Sequence, residues 1–168
     1  MESLDRMRDA MVRYFAAEKH ESLLFMVIGV AAIIASVVLF MTASSYRGMS
    51  YPLVLIALIQ LGVGGSVYFR TDTQVAELSA QMSAEPAAYK AAELARMDKV
   101  SKSFEIYKVI EIVLLAAGIV MAYALRRSEV FYGVAVGLIM QASVMLVLDL
   151  FAERRADTYV VAVTALSG

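Results

Sequence analysis

Four carboxylates and one imidazole are the residues of this chain best suited to chemistry: Glu18, Glu21, Glu111 and Asp149, with His20 as the only histidine. Their spacing gathers them. Apolar residues at Leu4, Met7, Met11 and Tyr14 recur at intervals of three, four and three, which marks one face of a helix. Continued by four and then three residues, that face meets Glu18 and Glu21 before apolar residues return at Phe25, Ile28 and Ala32. A second seam, Met97, Val100, Phe104 and Tyr107, arrives at Glu111, and a third, traced back through Val163, Tyr159, Ala156 and Ala152, arrives at Asp149. Acids aimed into one layer of a helical core repel one another and lose hydration, so each needs a proton, a cationic partner or a metal ion.

Two readings of that layer stand side by side. In the first, Lys19, Arg70, Lys108 and Arg154 supply the counter-charges, and Glu105, Lys108 and Glu111 form an ion ladder at spacing three. In the second, Glu18, Glu21, Glu111 and Asp149, with His20 beside them, hold an oxygen-ligated divalent cation or relay a proton. Such a site favours Mg²⁺, Ca²⁺ or Mn²⁺ over Zn²⁺. The Glu-x-x-His pairs of di-metal helical bundles are absent, because Ala17 stands three residues before His20.

Two amides, Gln60 and Gln141, fall near the middle of long apolar stretches, where a polar side chain needs a partner; a mutual Gln60–Gln141 pair is the simplest expectation. Gly133 and Gly137 precede Gln141 on the same helical stripe and allow a neighbouring helix to approach closely. Catalysis lacks its parts. With no cysteine, one histidine and no glycine-rich phosphate loop, neither a nucleophile nor a nucleotide site is assembled, so no catalytic residue and no cofactor is expected. With a formal net charge of −1, nothing in the overall balance suggests a nucleic-acid binder, and no nucleic-acid partner is expected.

The elements that must position these groups are membrane spans. The composition is 61% hydrophobic and 18% charged, with a mean hydropathy of +0.70, and the apolar residues gather in four blocks. Residues 22–46, 48–69, 107–125 and 130–148 read as spans, since about 20 apolar residues cross a hydrocarbon core of roughly 30 Å. The first is too long for a signal-peptide core, so cleavage is not expected. Between the second and third, residues 70–106 are rich in helix formers, with Pro86 as the strong breaker, which predicts a cytoplasmic helical hairpin. Helices are thus expected over 2–45, 49–84, 87–126 and 129–165. They form one all-α domain over residues 1–168, an up-down four-helix bundle that extends from the bilayer into the cytoplasm.

Twelve of the fifteen Lys and Arg residues lie on one side, against Arg47, Arg126 and Arg127 on the other, which places both termini in the cytoplasm. Tyr46, Tyr51, Tyr123, Phe131 and Tyr132 at one boundary, and Tyr68, Phe69, Phe104 and Tyr107 at the other, read as interfacial aromatic belts. The short loops suit a bacterial inner-membrane protein. The expected function is non-enzymatic contact with the bilayer and with protein, either a second copy of itself or another membrane protein, as an accessory subunit or an immunity-type protein. The rival is a cation- or proton-handling protein, oligomeric if it conducts, that uses the carboxylate layer.

Overall fold

The computed structural model describes residues 2–42 and 45–166. It is built of four long helices: α1 (Glu2–Thr42), α2 (Ser50–Ala84), α3 (Pro86–Ala124) and α4 (Glu129–Thr164), with a 3₁₀ turn, Arg47–Met49, ahead of α2. The bounds fall within three residues of those read from the sequence. A single residue, Glu85, separates α2 from α3. Its backbone leaves the helical region at φ −141° and ψ 77°, and Pro86 opens α3 at its first position, where a missing N–H costs nothing. Each helix contains a stretch long and apolar enough to cross a membrane.

Exposure divides the molecule lengthwise. Large apolar side chains lie bare on α1 from Leu23 to Met41, on α2 from Tyr51 to Phe69, on α3 from Ile106 to Tyr123 and on α4 from Val130 to Phe151. At 1.5 Å per residue this band is about 30 Å tall, the thickness of a hydrocarbon core. Beyond it the pattern inverts, and Met11, Phe15, Tyr89, Met97, Val163 and Leu166 are packed out of solvent in a core fed by α1, α3 and the end of α4, to which α2 adds Met82. The seam of α1 is the expected one. That of α3 needs a correction: Tyr107 is half exposed, because the step after Phe104 is four residues, through Lys108, before three more reach buried Glu111.

Helix α1 packs along α2 and α3 along α4; α4 also touches α1, α2 and the 3₁₀ turn, while the backbones of α1 and α3 do not approach among the described residues. Small residues set these distances. Ser36 and Ser50 each donate a hydroxyl hydrogen to the other's carbonyl at 3.0 Å, joining α1 to the start of α2. A Cβ on Gly133 would come within 2.9 Å of the Met49 nitrogen, and one on Gly137 within 2.6 Å of Pro52 Cγ, so this glycine pair does admit a neighbour, the start of α2. Gly48 sits against the backbone of Val130, where any Cβ would overlap the carbonyl.

Candidate functional site

The structure brings the predicted acids to neighbouring places but divides them among different partners. Glu21 pairs with Arg155 of α4. Glu18 is mostly buried, with Arg70 of α2 at 4.0 Å. Burial raises its proton affinity above the ordinary glutamate range, and the charges of Arg70, Arg96 and Arg155 only partly oppose that. His20 is exposed and donates Nδ1–H to the Ala16 carbonyl at 2.7 Å, beside a shallow groove of about 270 Å³ that Lys19 and Asp72 also line. Lys19 binds Asp72 at 2.6 Å and lies over the Tyr68 ring. Lys108 reaches Glu153 of α4 at 2.6 Å, so the ladder expected from Glu105 through Lys108 to Glu111 gives way to a bridge between helices. The cation that α4 contributes is Arg155 rather than Arg154. Among the described residues no three His, Asp or Glu side chains converge on a point that could hold a metal ion.

Glu111 stands apart from this ion-paired set. It is 1% exposed, and neither carboxylate oxygen has a hydrogen-bond partner among the described residues. The group facing it is Asp149 of α4. Two carboxylates have no donor to offer each other unless one of them carries a proton. Gln60 and Gln141 are also buried, and the mutual pair expected of them does not form: both amide atoms of Gln60, and Nε2 of Gln141, lack partners among the described residues.

Outside the apolar band lies a second polar centre that the seams only half disclosed. Glu93, 1% exposed, accepts two bonds from Arg96, at 2.7 and 2.8 Å, and a third from the Tyr159 hydroxyl at 2.8 Å. The Tyr159 and Tyr89 hydroxyls lie 2.9 Å apart, Tyr14 stacks on the Tyr159 ring at 4.4 Å, and the Arg96 guanidinium covers Phe15. Burial pushes the Tyr14 phenol up to about 12, aided by the Glu18 charge. Burial opposes the Arg96 charge, but the bonds and charge of Glu93 outweigh it and strengthen its hold on the proton. The signal for this centre was in the sequence: stepping back by four from Met97 gives Glu93 and then Tyr89, a polar residue on an otherwise apolar stripe.

No protein-family model, no characterised protein and no solved structure matches the chain.

Proposed function

We propose that this chain is a small integral inner-membrane protein without catalytic activity, a single up-down four-helix bundle with both termini in the cytoplasm, acting through protein contacts as an accessory subunit or an immunity-type protein. The observation that carries the reading is the uneven covering of its spans. Within the apolar band α3 buries only Glu111 and Gly118, and the share of its span packed inside the protein is the smallest of the four, 11% against 33% in α2. Val109, Val113 and Val120 lie on its bare side, where a further transmembrane helix would gain packing that lipid supplies less well.

The absence of cysteine makes the test direct. Single cysteines at Val109, Val113 and Val120, cross-linked in native membranes, should yield one discrete adduct, of double mass for a second copy or of another mass for a different protein. Cross-linking from none of the three positions, with each cysteine reactive toward a lipid-soluble thiol reagent, would remove the contact reading. A second reading, proton handling by buried carboxylates, is favoured by one observation, the facing pair Glu111 and Asp149.

A further inference from the structure

All but one of the buried side-chain atoms without a partner among the described residues belong to three residues: Gln60, Glu111 and Gln141. The packing puts these three at one level. Gly118 of α3 seats between Ala135 and Ile139 of α4, which makes residue 118 level with about residue 137. Seven residues further along these antiparallel helices, Glu111 is level with about residue 144, between Gln141 and Asp149. Helices α2 and α4 run parallel, and Gly133 and Gly137 rest on Met49 and Pro52. The same offset carries Gln60 to the level of about residue 145 of α4. Two independent helix contacts therefore deliver both amides and both carboxyls to a layer about two turns thick.

The chemistry of the orphaned atoms selects the occupant. Nε2 of Gln60 and of Gln141 are donors; Oε1 of Gln60 and both oxygens of Glu111 are acceptors. A metal ion would satisfy the acceptors and leave the amide N–H groups unmet, and only two carboxylates are present to hold it. Water serves donors and acceptors alike. Two facing carboxylates in a water-poor interior do not both keep their charge, and a single proton between them turns repulsion into a hydrogen bond.

We propose that Gln60, Glu111, Gln141 and Asp149 form a hydrated proton-binding site, in which Glu111 and Asp149 share one proton and the two amides hold the water that reaches it. The proposal rests on the second reading above. Loading takes one proton from hydronium on the side of Lys108 and Glu153: a carboxyl O–H forms, a hydronium O–H breaks, and the pair passes from two negative charges to one. That side is the accessible one, because the Lys108–Glu153 bridge lies one turn beyond the acid pair and is 32% and 24% exposed. The charged group facing Glu111 is Asp149 of α4; Glu153 acts on Asp149 in turn, and Lys108 stands three residues before Glu111 on its own helix, held to Glu153. Helix α2 brings only the Gln60 amide to this level, and α1 is uncharged from Ser22 to Thr42.

Infrared spectroscopy of the full chain in nanodiscs tests the site. At neutral pH the wild type should show a carboxylic-acid carbonyl band that shifts in D₂O, and Glu111→Gln should lose it. Gln60→Leu and Gln141→Leu should keep the band and slow its exchange with D₂O. No such band in the wild type would overturn the proposal whatever the variants do. So would a band abolished by added Mg²⁺ or Ca²⁺ together with a rise in melting temperature, since the occupant would then be the ion. Proton flux across vesicles containing the protein is the separate measure of handling: a band without flux keeps the site and removes the second reading.

Discussion

Arg96 is the residue on which the polar centre outside the apolar band depends. It gives Glu93 two bonds and covers Phe15, so Arg96→Met keeps the bulk and strands a carboxylate that is 1% exposed. The expected loss is about 3–5 kcal/mol, the cost of breaking a buried pair from one side. Denaturant titration in detergent measures it, and Glu93→Gln with Arg96→Met together should recover part of the loss. Glu18 behaves oppositely, because burial raises its proton affinity. The folded state binds that proton more tightly than the unfolded chain, so the contribution of Glu18 is complete below the ordinary glutamate range and is lost as pH rises through the raised value. Glu18→Gln should thus be more stable than wild type at neutral pH, with the difference closing under acid. Melting temperature against pH reads this, and a constant difference would refute it.

At the scale of elements, the glycines differ in what surrounds them. A Cβ on Gly48 would overlap the Val130 carbonyl, whereas one on Gly62 meets nothing within 4 Å. Gly48→Ala should part the 3₁₀ turn from α4 and lower the melting temperature clearly. Gly62→Ala should stabilise by about 1 kcal/mol through helix propensity alone. Calorimetry of the two variants decides, and equal effects would contradict the packing. Helix ends were legible in the sequence because Pro86, the charge gaps and the 3.6-residue seams are local signals. Partner choice was not. Lys108 has acids at three residues on either side of it, yet binds Glu153, since its helix turns it toward α4. The Gln60–Gln141 pair failed for a related reason: sharing a depth does not bring two amides within hydrogen-bond distance, and which helices face each other is set by Gly118, Gly133 and Gly137. The Glu93 centre was overlooked because a carboxylate within a helix of alternating Ala, Glu and Lys reads as solvated surface until its stripe is followed to Tyr89.

For the whole molecule, the distribution of charge sets the expected orientation. Single cysteines at Glu85 and Arg127 should differ toward a membrane-impermeant thiol reagent added to intact cells: Arg127→Cys is labelled and Glu85→Cys only after lysis. Labelling of Glu85→Cys in intact cells would invert the topology and move the Glu93 centre to the outer face.

The order in which a ribosome delivers the chain gives these contacts a timing. Helices α1 and α2 are made first and can join at once through Ser36 and Ser50. The Val130 backbone against which Gly48 rests, the Tyr159 ring under Tyr14 and the Arg155 that answers Glu21 all belong to the last helix. Until α4 emerges, the first hairpin carries an uncompensated Glu21 and an uncovered tyrosine. The final quarter of the chain therefore acts as the fastener of the first hairpin, and a nascent protein cut short before Glu129 would lack the partners of Gly48, Tyr14 and Glu21 together.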